Sequence, residues 1–127
     1  DEKARAQSVA AAIAVSPRSR DLEPTNHLAE AEAIVLAQRL AGEVAFILLD
    51  ELAARDVAQQ LGLTVTGFAG ILRAAHARRL LRPDDAQAIL RACQAQGTHY
   101  SNAFIQTVVD ELRRHNDETE ASENHTA

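Results

Sequence analysis

The chain has 127 residues, 46% of them apolar, and a formal net charge of −5. This length predicts one ordinary domain, the single cysteine excludes an internal disulfide, and the charge argues against indiscriminate affinity for nucleic acid. The longest apolar run, residues 44–49, is far below the roughly 18 residues that span a bilayer, so we expect no membrane partner. The single cysteine makes a reducing, cytoplasmic setting the default expectation.

The N-terminal third of the chain predicts helix, short strand, loop and helix in that order. Residues 1–12 are predicted to be helical and 13–15 to form a short strand, whereas 16–26 carry the Pro, Ser and Asn of a loop. Strong helix formers with acids in the first turn predict a helix over 28–42, which Gly42 ends.

The middle of the chain predicts two strands around a helix. Residues 44–49 are too short for a buried helix and are predicted to form a strand. Apolar residues at helical spacing predict a helix over 51–61, and β-branched residues predict a second strand over 63–66. Strand-helix-strand units of this length favour a parallel sheet with helices on its faces, so the expected fold class is α/β.

The last part of the chain is predicted to be helical before it becomes disordered. Helices are expected over 67–81, 83–96 and about 101–114. Residues 115–127 are polar, acidic and free of large apolar side chains, which predicts a disordered tail. The folded domain is therefore expected to cover residues 1–114.

Acidic side chains mark the end of the first strand and the start of the helix before it. Asp50 follows the strand, at the edge of a parallel sheet where ligands collect, and a second carboxylate nearby would favour a hard cation. Glu30 continues the apolar stripe that faces the sheet and is the preferred second ligand; Glu32 is the second choice. The alternative is that these acids complement helix dipoles or cap helices, and spacing alone favours that alternative.

Two stretches of the sequence resemble a known family. "AEAEAIVLAQRL" followed by "FILLDELAARDVAQQLGLTVTGFAGILRAAHARRLL" resembles the C-terminal portion of PIN-domain proteins, in the branch described as predicted nucleic-acid-binding. That branch has the motifs GEAEAIALA, LLLDE and GL-VTG in the same order. The resemblance covers roughly residues 12–112.

The resemblance implies a function and a set of site residues. PIN domains are Mg²⁺- or Mn²⁺-dependent ribonucleases, and many are VapC-type toxins paired with an antitoxin protein. By this resemblance Glu30 and Asp50 match the metal-holding, catalytic carboxylates, and Glu51 would assist through a water. Arg55 matches the family's basic position and Thr66 its TG turn, which implies contacts to RNA.

A basic segment in the second half of the chain offers weaker support for an RNA partner. Arg78 and Arg82 are predicted to share a helical face from which they could contact phosphates. The alternative is the solvated side of an amphipathic helix, and no aromatic residues alternate with these arginines to stack bases. The five histidines are scattered without i,i+4 spacing, so the pattern gives none of them a metal or acid-base role.

The PIN pattern also differs from this sequence. The family begins with a strand that carries its first catalytic Asp, followed by a helix with another acid, and this chain begins after both. We therefore expect an incomplete PIN-like three-layer fold that lacks the N-terminal strand and helix and is inactive by itself. The rival hypothesis is a non-catalytic interaction domain, in which the sheet pairs with another chain or a second copy and Glu30 and Asp50 cap helices.

Overall fold

A computed structural model describes residues 1–125. The chain divides into two compact units, the first covering residues 1–68 and the second beginning at Ala69. The first unit contains α1 (Glu2–Val15), a 3-10 turn (Pro24–His27), α2 (Leu28–Arg39), β1 (Ile47–Leu48), α3 (Leu52–Gln60) and β2 (Val65–Thr66). The helices that follow are α4 (Phe68–Ala77), α5 (Pro83–Ala95) and α6 (Asn102–His125). None of the helices within residues 1–125 combines the length and apolar content needed to cross a bilayer.

A small parallel sheet joins β1 to β2, which confirms the predicted α/β class and strand pairing. Ile47 pairs with Val65 and Leu48 with Thr66. The prediction of a strand over all of 44–49 is wrong. Only Ile47 and Leu48 form β1, because the chain is still turning before them, where the Glu43 and Val44 amides both donate to the Leu40 carbonyl.

The predicted strand over 13–15 is also wrong, since these residues complete α1. The buried residues of this helix are Ala6, Ala10, Ile13 and Ala14, which recur at helical spacing. Alanine has the highest helix propensity and this segment is rich in it, so the β-branched residues near its end stay in the helix.

Alanines make up most of the core of the first unit. Ala6, Ala10, Ala31, Ala53, Ala54 and Ala58 are all buried in it. Ile13 and Ile34 are its largest fully buried side chains. Small side chains let α1, α2 and α3 approach closely, so two isoleucines supply a large share of the packed volume.

The second unit packs α4, α5 and α6 into a helical group of its own. Its buried apolar residues are Leu72, Ala86, Leu90, Ile105, Val108, Val109 and Leu112. Buried His76 bonds through Nε2 to Asn116 Oδ1 at 2.7 Å, and Arg73 pairs with Glu111 at 2.8 Å.

The expected disordered tail is a helix through His125, and residues 126–127 lie outside the described part of the chain. Composition predicts disorder because this segment lacks large apolar residues. The segment makes polar contacts instead: Asn116 Oδ1 accepts a hydrogen bond from His76 Nε2, and Glu123 pairs with Arg79. The Thr119 hydroxyl also bonds the His115 carbonyl one turn earlier in the helix.

Arg78 and Arg82 do not share a helical face, so that prediction is wrong. The helix α4 ends at Ala77, and Arg79 adopts a left-handed conformation with φ of 61°. The chain then turns, and Arg82 becomes the residue that precedes α5. A positive φ at a non-glycine residue interrupts the helical repeat on which the prediction depended.

Candidate metal centre

Three potential metal ligands come together in the first unit. His27 ends the 3-10 turn, Glu30 lies in the first turn of α2, and Glu51 immediately precedes α3. One ligand atom of each lies within 4.8 Å of the corresponding atoms of the other two. His27 and Glu30 are three residues apart at the start of a helix, which places them on the same side of it. Glu51 lies in the segment between β1 and α3 and reaches them from there.

Glu30 has a buried oxygen without a partner. Its Oε2 atom is removed from solvent and makes no hydrogen bond within the described chain. Buried polar atoms in folded proteins are nearly always paired, because leaving one unpaired costs on the order of 1–3 kcal/mol. An unpaired carboxylate oxygen beside two other ligand groups is suited to accept a cation.

His27 is held in a fixed orientation by hydrogen bonds at both ring nitrogens. Nε2 lies 2.6 Å from the Asp21 carbonyl oxygen, and Nδ1 lies 3.3 Å from Glu51 Oε2. The carbonyl of Asp21 raises the pKa of His27 above its usual value and the Glu51 carboxylate adds to this effect, while burial opposes it. A cation at Nδ1 would take the place of the proton that faces Glu51.

Glu51 occupies the capping position before α3 but does not cap it. Its side chain makes no hydrogen bond to the helix start and is 33% exposed. It turns toward His27 instead, so the capping alternative does not describe this residue. Its partial exposure leaves the cluster accessible to solvent and to ions.

Asp50 lies next to Glu51 in sequence but makes a different contact. Its Oδ1 accepts a hydrogen bond from the backbone N–H of Phe68, the first residue of α4, at 2.8 Å. Asp50 is exposed and does not join the group formed by the other three residues. Asp50 therefore caps a helix, as the alternative hypothesis expects. The helix that it caps is α4, and not α3, which follows it in sequence.

The remaining predicted residues lie in three places. Arg55 and Thr66 are half-buried, and an Arg55 guanidinium nitrogen lies on the same side of Gly67 as Asp50 Oδ1. Glu32 is exposed and lines a groove between α1 and α2 instead of facing Glu51. Arg78 and Arg82 are exposed residues of the second unit.

Gly67 controls the position of the Asp50 carboxylate. A Cβ at this residue would lie 3.1 Å from Asp50 Oδ1 and 3.4 Å from Arg55 Nη1. We expect Gly67→Ala to displace the carboxylate from the Phe68 amide and lower the free energy of unfolding by about 1 kcal/mol, the usual cost of losing a helix cap. Urea unfolding followed by circular dichroism measures this change.

Gly42→Ala is the matched control, since a Cβ there meets nothing within 4 Å. We expect this variant to be as stable as the original chain. An equal loss of stability in both variants would show that the contact with Asp50 is not the cause.

Sequence reasoning missed His27. The sequence contains no pair of histidines spaced i,i+4, whereas the structure brings one histidine together with an acid at i,i+3. The signal for them in the sequence is a His-x-x-Glu pattern at the start of the helix, which contains both His27 and Glu30. The family resemblance implies a role for Glu51 only through a water.

The donor set fits a divalent cation. Two carboxylates and an imidazole are ordinary ligands of such ions, and opposite ligands of one small ion lie about 4.2 Å apart. The upper limit of 4.8 Å between the ligand atoms is close enough for small side-chain rotations to bring all three onto one ion. The unpaired Glu30 oxygen is the observation that supports this fit most directly.

Comparison with known proteins gives one match. A family model described as PIN domain matches residues 2–114, which is most of the chain. No curated protein and no solved structure matches it.

Proposed function

The chain belongs to the PIN-domain family, a family of nuclease-like domains, and on that premise we propose that it holds a divalent cation between Glu30 and Glu51 for the cleavage of RNA. The observation that carries this proposal is the buried, unpaired Oε2 of Glu30 beside the Glu51 carboxylate. Two carboxylates at this separation repel each other unless a positive charge lies between them.

Each residue of the site has a separate task in this proposal. When bound, Mg²⁺ or Mn²⁺ would lower the pKa of a water and neutralise charge that develops on the phosphate. Glu30, whose Oε2 is buried, and Glu51, whose side chain is 33% exposed, would hold the ion. Asp50 precedes Glu51 in sequence, and Arg55 follows it by one helical turn. Both side chains lie beside Gly67 and would orient the phosphodiester or a water.

RNA is the proposed substrate because the resemblance is to RNA-cleaving PIN proteins, and the VapC-type resemblance extends the proposal to an antitoxin partner. A net charge of −5 supports selective rather than indiscriminate binding of nucleic acid. A bound cation would reduce the negative charge at the site before a phosphate approaches it.

Calorimetric titration with Mn²⁺ tests the proposed function. We expect the original chain to bind Mn²⁺ and Glu30→Gln to bind it at least about tenfold more weakly, because the substitution removes the charged oxygen from the site. Cleavage of a single-stranded RNA, assayed with Mn²⁺ and with chelator, then tests whether binding leads to catalysis.

Glu32→Gln is the control for this titration, since Glu32 lies two residues away in the same helix but faces the groove between α1 and α2. We expect it to bind Mn²⁺ as the original chain does. Equal Mn²⁺ affinity in the original chain and in Glu30→Gln would contradict the proposed function.

A protein-interaction domain is the second candidate function, and exposed apolar residues around β1 favour it. Phe46 and Leu48 are 47% and 51% exposed, and β1 pairs on one side only within residues 1–125. A second copy of the chain could cover these side chains. A dimer in sedimentation velocity, together with no Mn²⁺ binding, would favour this candidate over the nuclease.

A further inference from the structure

We propose that His27 is a third protein ligand of the cation, bound through Nδ1, and that it makes the site prefer divalent transition-metal ions over Mg²⁺. The proposal rests on the proposed function, because it concerns the same site. His27 would add a nitrogen ligand to the two carboxylates, and this nitrogen would favour divalent transition-metal ions over Mg²⁺.

The orientation of the imidazole supports Nδ1 as the ligand atom. Nε2 lies 2.6 Å from the Asp21 carbonyl, to which its N–H donates. Histidines that bind metals usually donate their other ring N–H to a carbonyl or carboxylate in this way, which fixes the tautomer. In the neutral ring the lone pair is then on Nδ1, the nitrogen that faces Glu51.

The loop before α2 holds the Asp21 carbonyl in place. The Ser19 hydroxyl donates to this carbonyl oxygen at 2.8 Å. The Asp21 carboxylate accepts from the Glu23 amide at 2.9 Å and from the Asn26 side chain at 2.8 Å. These contacts fix both ends of the short segment between Asp21 and His27, so the ring is oriented before any ion binds.

The burial of His27 beside Glu30 favours a role as a metal ligand over a purely structural role. Its side chain is only 4% exposed, and one of its ring nitrogens lies within 4.8 Å of a carboxylate oxygen of Glu30, the residue whose Oε2 is buried and unpaired. A histidine that served only to pair with Glu51 would leave Glu30 Oε2 unpaired. One ion bound to all three residues gives every one of these atoms a partner.

The ligand set determines which ions bind well. Mg²⁺ requires near-ideal octahedral geometry, binds oxygen ligands and keeps several of its waters. Imidazole binds first-row transition metal ions more favourably, and a mixed nitrogen and carboxylate set is typical of them. We therefore expect the original chain to bind Mn²⁺ more tightly than Mg²⁺.

Calorimetric titrations with Mn²⁺ and Mg²⁺ separately test this preference. The His27→Gln variant keeps an amide donor for the Asp21 carbonyl but removes the nitrogen that faces the carboxylates. We expect it to lose about tenfold in Mn²⁺ affinity and much less in Mg²⁺ affinity. The His99→Gln variant changes an exposed histidine of the second unit and should leave both affinities unchanged.

Pulsed electron paramagnetic resonance of the Mn²⁺-bound original chain gives a readout that does not depend on the folding of a variant. We expect nitrogen hyperfine coupling from one imidazole, which His27→Gln abolishes and His99→Gln preserves. Mn²⁺ binding that requires Glu30 but shows no nitrogen coupling would overturn the role of His27 and leave the proposed function in place. The absence of any Glu30-dependent binding, with either ion, would overturn both.

Discussion

Ile34→Ala is expected to lower the free energy of unfolding of the first unit by about 3 kcal/mol, in the usual range for a fully buried isoleucine. Ile34 is 0% exposed and is one of the two largest fully buried side chains in a core made mostly of alanine. Alanine neighbours cannot change rotamer to fill the resulting cavity, so the site relaxes little. Because the chain contains no Trp, urea unfolding followed by circular dichroism is the measurement.

Leu36→Ala is the control, since Leu36 is in the same helix but 43% exposed. We expect it to lose about 1 kcal/mol or less, because it buries less apolar surface. Similar losses in the two variants would show that α2 is not packed as described, and the position of Glu30 at its start would then lose its support.

Local signals in the sequence predicted the helices well. The helix expected over 28–42 is Leu28–Arg39, and the helix expected over 83–96 is Pro83–Ala95. Both have strong local signals, namely acids in the first turn and, for α5, a proline at its start. The boundaries differ more elsewhere: α4 ends at Ala77 instead of residue 81, and the largest difference is at α6, which continues to His125 instead of ending at about residue 114.

Tertiary contacts explain where the sequence-based prediction failed. The polar residues beyond 114 have no apolar face to bury, but Asn116 and Glu123 contact His76 and Arg79, which the local sequence does not reveal. The short length of β1 likewise depends on the turn at Leu40. Helix and strand propensities predict secondary structure poorly wherever tertiary contacts determine it.

The sequence predicts the direction of the acidic side chains in α2, but not that of the acidic side chains after β1. The apolar stripe of α2 predicted different directions for Glu30 and Glu32. In the structure Glu30 lies close to Glu51, and Glu32 lines the groove between α1 and α2. Asp50 and Glu51 lie beyond β1, which ends at Leu48, so strand alternation does not predict which of them turns toward α2. In the structure Glu51 lies beside Glu30, and Asp50 contacts Phe68.

Glu30→Met is expected to raise the free energy of unfolding of the metal-free chain by about 1–2 kcal/mol, within the cost of a buried unpaired polar atom. Methionine has nearly the length of glutamate and no charge, so it removes the unpaired oxygen Oε2 without leaving a cavity. Urea unfolding in chelator, compared with the original chain, measures the gain.

Mn²⁺ should reverse this order of stability. An ion present at a hundred times its dissociation constant stabilises the original chain by about 2.7 kcal/mol, whereas Glu30→Met should gain little from it. Glu32→Met, which changes an exposed residue, should stay within about 0.5 kcal/mol of the original chain in chelator. A loss of stability in metal-free Glu30→Met would mean that Glu30 already contributes favourably to the fold. A gain that Mn²⁺ reverses would mean that the chain tolerates an unfavourable carboxylate because that carboxylate binds an ion.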